Sequence, residues 1–173
     1  MEFLLTNGEI RAVATVGYAM LLGGVIGLER EVKSRPAGFR THMLVAGAAA
    51  FLVSSVQLMV SNAAESAVDV PQGSREIMSL DPLRLVEAVV AGVSFIGAGC
   101  IFASRERDTV HGVTTAASLL MVASIGLCTG LGYPALASSI TLMTLVVLLV
   151  LKQVEKRMPR RDAPPPGGEE GRS

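Results

Sequence analysis

Four runs of the chain contain no Asp, Glu, Lys or Arg, namely residues 12–28, 41–64, 88–104 and 109–151. A helix that crosses the hydrocarbon of a bilayer needs about 20 apolar residues. The first three runs each fit one such helix. The fourth run, at 43 residues, is long enough for two helices with a turn at 130–134. The pattern therefore predicts five membrane spans, over about residues 10–28, 41–60, 82–103, 113–133 and 135–151.

The composition agrees with this pattern. Half of the 173 residues are apolar, the mean hydropathy is +0.52, and 17% are charged, against about 25% in a typical soluble domain. We predict an all-α integral membrane protein with one five-span domain over residues 1–151. Glu2 and Glu9 precede the first run and 29–31 follow it with three charges. A secretory signal has a basic start and a small-residue cleavage site, so we predict that the first span is retained.

The basic residues are unevenly distributed between the loops. Twelve of the 15 Lys and Arg residues lie in 29–40, in 104–112 or after Leu151. The positive-inside rule places those segments in the cytoplasm, which predicts an outside N-terminus and a cytoplasmic C-terminus. The tail 152–173 is basic at first and then rich in Pro and Gly. We predict that it is disordered and that its basic start lies on anionic lipid.

The predicted cytoplasmic ends of the first four spans bring charged and hydroxyl side chains together. This first candidate cluster consists of Glu29, Arg30, Arg40, Thr41, Thr114 and Thr115. Membrane anchoring explains Lys33 and Arg35, but it does not call for acids beside the bilayer. We weigh a specific ion-pair network of Glu29, Arg30 and Arg40 about equally against plain anchoring.

A second candidate cluster lies at the predicted outer end of the third span. Asp81, Arg84 and Glu87 follow at intervals of three, which places them along one helical face. The simpler interpretation is that Asp81 caps the helix and Arg84 pairs with Glu87. The carboxylates Asp81, Glu87 and Glu29 are the candidate ligands for Mg²⁺, a cation that prefers oxygen ligands, although no spacing demands a metal. No other cofactor and no catalytic motif is indicated, so we do not expect an enzyme.

Small residues at helical spacing predict close helix packing in lipid. The glycines to which we assign this role are Gly23, Gly27, Gly92, Gly97, Gly99, Gly112, Gly126 and Gly130.

Three blocks of sequence resemble the MgtC/SapB family of bacterial inner-membrane proteins. They are "GGVIGLERE…PAGFRTHMLV", "DPLRLVEAVVAGVSFIGAGCI" and "VHGVTTAASLLMVASIGLCTGLG", and together they cover about residues 22–137. The resemblance implies a five-span protein linked to magnesium homeostasis, stress adaptation and, in some pathogens, virulence, most often through regulation of other membrane proteins. The positions that it marks as signature are Gly27, Glu29, Arg30, Arg40, Thr41, Asp81, Arg84, Gly97, Gly99, Gly112, Thr114 and Thr115.

The chain departs from the family pattern in two places. Many members carry a soluble cytoplasmic domain after the last span, whereas only a short tail follows here, so we do not expect regulation through that domain. Leu119 and Leu120 stand about where relatives often carry Trp.

Two functions remain as hypotheses. The first is a regulator that acts on a membrane-protein partner or on a second copy of the chain, favoured by the glycine faces, the absence of an inverted repeat and the lack of a deep polar path. The alternative is a Mg²⁺ transporter or channel with acids at its mouth. The lipid bilayer is a partner in both cases. The formal net charge is zero, and we expect no nucleic-acid partner.

Overall fold

The structure of the protein is a computed structural model that describes residues 6–66, 82–103, 105–106, 109–110 and 112–155. These residues form, in chain order, α1 (Asn7–Val32), α2 (Phe39–Ser66), α3 (Pro82–Ala103), β1 (Arg105–Glu106), β2 (Thr109–Val110), α4 (Val113–Gly130) and α5 (Pro134–Glu155). The two short strands pair antiparallel, with Arg105 opposite Val110. The predicted all-α fold is confirmed. Asp81 and the tail after residue 155 lie outside the described residues.

The predicted spans correspond to the helices, with different ends. α1 to α4 are long and apolar enough to cross a membrane, whereas the apolar part of α5, Pro134–Val150, is shorter. α1 continues to Val32 because 29–31 are good helix formers despite their charge. α2 reaches Ser66, six residues beyond the predicted end at 60. Which side of the membrane each end faces stays a prediction.

Local sequence explains two of the helix ends. Thr6 and Glu9 form a capping box at the start of α1, in which each side chain accepts from the backbone N–H of the other residue. α4 ends with Gly132 in the left-handed region at φ +88°. The Gly132 N–H donates to Thr129 O at 3.0 Å and the Tyr133 N–H to Cys128 O at 2.9 Å. This Schellman arrangement, followed by Pro134, confirms the turn predicted at 130–134.

Helices α1, α2 and α4 form the core of the bundle. They contact one another extensively, whereas α3 packs mainly on α4, and α5 packs on α4 and α1. Of the most apolar window of each helix, 56% is buried in α4 but only 17% in α3. α4 is therefore the central helix, and α3 lies at the edge of the described bundle.

Glycines allow these three helices to approach backbone to backbone. A Cβ at Gly27 would lie 2.8 Å from Phe39 Cα of α2, and one at Gly23 would lie 2.6 Å from His42 O. On α4, a Cβ at Gly126 would collide with the carbonyl oxygen of Ala46. A Cβ at Gly130 would likewise be too close to α2, at 2.7 Å from Val53 Cβ. α2 thus lies between the glycine faces of α1 and α4, as the small-residue spacing predicted.

The glycines of α3 divide into two groups. Gly97 faces α4, where its Cβ would lie 3.1 Å from Ala116 Cβ. Among the described residues, no atom lies within 4 Å of a Cβ added at Gly92 or Gly99, so the packing role assigned to them stays a prediction. Gly112 has a different role from the one predicted, because it precedes α4 with φ +92° and a Cβ there would lie 2.6 Å from Cys100 O. Only glycine fits that turn without strain.

The core is not closed along its whole length. A cavity of about 270 Å³ lies between α1, α2 and α4 at the end of the bundle that carries Arg11. Hydroxyl, amide and guanidinium groups line it. We call it the Arg11 end, and the opposite end of the same three helices the Arg30 end.

Candidate functional site

Arg30 occupies the centre of the Arg30 end. It is 3% exposed, and its guanidinium Nη2 donates to Thr115 Oγ1 at 2.8 Å, joining α1 to α4 across 85 positions of sequence. Arg30 lies three and seven residues after Gly27 and Gly23, so it continues the glycine face of α1 into the core. Thr115 lies three turns before Gly126 on the corresponding face of α4. The glycine packing therefore brings the two side chains together.

The guanidinium of Arg30 has no acid partner among the described residues. Among the side chains that the structure describes, Arg30 has no ion pair, and its buried Nε has no hydrogen-bond partner. A buried charge that is not paired costs several kcal/mol of stability, on the order of that lost when a buried pair is broken. The site thus holds a positive charge whose partners are one hydroxyl and the surrounding protein dipoles.

His42 and Ser118 extend the network from Arg30 and Thr115. His42 is 0% exposed, with Nδ1 2.8 Å from Gly38 O and Nε2 3.1 Å from Ser118 Oγ. Ser118 Oγ also lies 2.8 Å from Thr115 O. The predicted cluster contains neither His42 nor Ser118. The signal was available, since His42 begins the α2 stripe that continues with Ala46 and faces Gly23.

The hydrogen bonds of this network can run in two directions. A carbonyl oxygen only accepts, so Nδ1 of His42 carries a proton. With neutral His42, Ser118 donates its one proton to Nε2. With protonated His42, Nε2 donates to Ser118, and Ser118 donates to Thr115 O. The orientation of one buried hydroxyl therefore follows the charge of His42, next to the buried Arg30.

Glu29 is paired differently from the prediction. Its carboxylate forms an ion pair with Lys33, one helical turn further along α1, and the two side chains are 8% and 14% exposed. Lys33 Nζ also donates to Leu148 O of α5 at 3.1 Å. Lys33, for which anchoring was the predicted role, thus joins α1 to α5. The i, i+4 spacing of Glu29 and Lys33 was the signal that could have predicted the pair.

Arg40 and Thr41 do not join the buried network. Arg40 is exposed and Thr41 half-buried, and both line a surface depression with Glu31. Glu31 accepts a hydrogen bond from the Phe39 N–H at 3.0 Å, which caps the start of α2. The predicted network of Arg40 with Glu29 and Arg30 is therefore not formed.

Thr114 also lies apart from its predicted neighbours. It is exposed and lines an apolar groove of about 520 Å³ between α4 and α5. Thr114 and Thr115 point about 100° apart around α4, so only one of them can face Arg30.

The second candidate cluster is not assembled within the described residues. Arg84 and Glu87 are both exposed on α3 and form no ion pair with each other, so the proposed local pairing is wrong. Asp81 lies outside the described residues. The described part of the chain contains no group of three or more His, Cys, Asp or Glu side chains that could hold a metal ion.

Comparison with known proteins identifies the family. The family model described as "MgtC family" matches residues 16–157, most of the chain. The chain belongs to the MgtC family. The resemblance seen in the three sequence blocks is thereby confirmed, and the protein is a multi-pass membrane protein of that family.

Several curated relatives are similar to this MgtC family chain. Protein SapB of Bacillus subtilis is 37% identical over 83% of the chain and 57% of its own length. Protein MgtC of Salmonella typhimurium is 37% identical, over 81% and 52%. "Putative magnesium transporter YhiD" of Escherichia coli is 36% identical, over 81% and 60%. The chain thus spans a little over half the length of these relatives. No solved structure matches it.

Proposed function

We propose that this chain serves magnesium homeostasis in the bacterial inner membrane by regulating other membrane proteins, without catalysing a reaction of its own. The name of the Escherichia coli relative supports the link to magnesium. The single observation that carries the regulatory role is the buried Arg30 network at the meeting point of α1, α2 and α4. The expected partner is a membrane protein or a second copy of the chain, within the bilayer and without nucleic acid.

The cost of the Arg30 site favours regulation over a purely structural role. An arginine without an acid partner destabilises the bundle, and such a residue is retained where it serves a function. Its contacts link three helices, so a partner that shifts one helix changes the environment of the charge. His42 and Ser118 offer two hydrogen-bonded arrangements at the same place. A bistable element of this kind is what a regulatory contact needs.

The alternative is a Mg²⁺ transporter, for which the name of the Escherichia coli relative is the supporting observation. The described acids offer it little support, because Glu29 is paired with Lys33 and Glu87 is exposed on the edge helix α3. Close backbone contact at Gly23, Gly27 and Gly126 also favours tight packing of α1, α2 and α4 over a path between them. Asp81 is the acid on which a transport role would rest.

Two measurements, each with its own variants, separate the functions. Mg²⁺ entry into liposomes is followed with an enclosed indicator, for the wild-type chain and for Asp81→Asn. Growth at limiting Mg²⁺ is followed in cells whose own gene is replaced by wild type, Arg30→Met or Arg35→Met, the last being a control at an exposed arginine of the same end. A regulator is expected to give no Mg²⁺ flux. It is also expected that Arg30→Met fails to support growth, whereas wild type and Arg35→Met support it. Flux that disappears in Asp81→Asn would establish the transporter instead.

A further inference from the structure

The cavity at the Arg11 end belongs to neither candidate cluster. One face of α1 contributes Gly8, Arg11 and Thr15, and one face of α2 contributes Ser54, Gln57 and Ser61, with the end of α4 as the third wall. From Ser61 to Ser54 the α2 wall extends about 10 Å along the helix. The recess therefore reaches well into the apolar part of the bundle.

Several of the polar side chains that line this cavity do not hydrogen-bond to other described residues. Ser54 is 5% exposed and lines the cavity, and its hydroxyl has no hydrogen-bond partner among the described residues. The same holds for Thr15, Gln57 and Arg11. Buried polar groups in native proteins are nearly always paired. An unpaired hydroxyl on so deeply buried a serine, facing a polar recess, indicates that water or a ligand supplies the missing partner.

The charge of the lining identifies the class of ligand. Arg11 is the one charged residue among the described residues that line the cavity, and none of them is acidic. Its guanidinium, the Gln57 amide and the hydroxyls of Thr15 and Ser54 together offer many donors. Such a set suits a group with several acceptor oxygens and negative charge. It is unsuited to Mg²⁺, which is usually bound through one or two carboxylates, because no described lining residue is acidic.

We propose that the cavity between α1, α2 and α4 at Arg11 binds an oxyanion of the phosphate or carboxylate type. Arg11 at the mouth binds the charge, and Ser54 and Thr15 at the inner end donate to the remaining oxygens. The volume of about 270 Å³ admits a small solute anion with water, or the headgroup of an anionic lipid. The site is independent of the magnesium function proposed above.

The test is thermal unfolding of the purified, delipidated chain in detergent, followed with a thiol-reactive dye on its two cysteines. Inorganic phosphate and succinate are titrated against chloride at equal ionic strength, and short-chain phosphatidylglycerol is titrated separately. A ligand that binds only the folded state raises the unfolding midpoint with its concentration. We expect a saturable rise for at least one oxyanion. A rise with phosphate or succinate assigns a solute, and one with the lipid alone assigns a headgroup.

The variants make the result specific. Arg11→Gln should weaken the apparent affinity about tenfold or more, since it removes charge-assisted hydrogen bonds. Ser54→Ala should weaken it less and leaves the mouth intact. Arg35→Gln, at an exposed arginine of the opposite end, is the control and should bind as wild type does. No rise over chloride with any of the three probes, or an equal rise in Arg11→Gln, would overturn the proposal.

Discussion

The Arg30 end and the Arg11 end are built from the same three helices but treat buried polar groups in opposite ways. At the Arg30 end, Arg30, His42, Thr115 and Ser118 are bonded to one another or to the backbone. At the Arg11 end, Ser54 is as deeply buried as Ser118, yet it faces an open cavity without a described partner. At the Arg30 end most of these groups bond to protein and the Nε of Arg30 alone among them is left without a described partner, whereas at the Arg11 end the hydroxyl of Ser54 faces the cavity.

The difference arises from the side chains that lie beyond the glycine faces at each end. Beyond Gly27 the face of α1 continues with Arg30, a long side chain that reaches α4 and fills the space. At the other end α1 contributes Gly8, Ala12 and Thr15 to the cavity wall together with the exposed Arg11, and α4 ends at Gly130. Close packing in the middle of the bundle is thus compatible with either a bonded network or a cavity at its ends. Substitutions in the middle and at both ends test this contrast, from the largest expected effect to the smallest.

Gly126→Leu tests the packed middle that separates the two ends. The added side chain would collide with Ala46 O and lie against Ala49, so α4 must move away from α2. Overpacking against backbone costs about 3 kcal/mol or more, and we expect loss of the cooperative thermal transition in detergent. Gly92→Leu is the matched control, because no atom lies near its added Cβ. Equal behaviour of the two variants would show that α2 and α4 do not pack through Gly126.

Lys33→Met tests the ion pair at the Arg30 end. The change leaves the Glu29 carboxylate at 8% exposure without its cation and removes the bond to Leu148 O. Breaking a largely buried pair costs about 2–4 kcal/mol, which a lowered unfolding midpoint should report. Arg40→Met, at an exposed residue outside the network, should change stability by less than about 0.5 kcal/mol. The opposite ranking would restore Arg40 to the cluster that the sequence predicted.

Arg30→Met tests whether the arginine stabilises or destabilises the folded chain. Methionine keeps most of the length and removes a charge that has no acid partner, so we expect the unfolding midpoint to rise, by the equivalent of about 1–2 kcal/mol. The same variant should fail to support growth at limiting Mg²⁺. A marked loss of stability would mean that Arg30 is a structural tie between α1 and α4, and the regulatory proposal would lose its main support.

The sequence predicts some features of this structure and not others. Uncharged runs predict the helices, because a helix in lipid must be apolar over its whole length. Glycine spacing predicts close helix packing, which occurs between α1 and α2 and between α2 and α4. The register with Gly27 could have selected Arg30 as the buried charge. No spacing tells whether a glycine face meets protein or lipid. Gly97 contacts α4, whereas Gly92 contacts no other helix among the described residues, although both belong to the same small-residue pattern.

The direction in which individual side chains point around a helix was harder to predict from the sequence than the helices themselves. Thr114 and Thr115 are equivalent as sequence, and only the rotation of α4 against α1 decides which of them meets Arg30. The Arg11 cavity gives no signal at all in the hydrophobic pattern, because isolated Ser, Thr and Gln residues occur in many membrane helices. Their grouping depends on how α1, α2 and α4 pack, and the lining residues extend along the sequence from Gly8 to Gly132.

A paired substitution at the two ends gives the smallest expected effect and compares them most directly. Ser118→Ala and Ser54→Ala make the same change at residues that are 4% and 5% exposed, so loss of volume and gain of helix propensity cancel between them. Ser118→Ala leaves Nε2 of His42 without its partner and should cost about 1 kcal/mol more than Ser54→Ala, whose hydroxyl has no described partner. The difference in unfolding midpoint, measured without added oxyanion, isolates the hydrogen bond. Equal midpoints would mean that the Arg11 end is bonded as fully as the Arg30 end, with water in place of side chains.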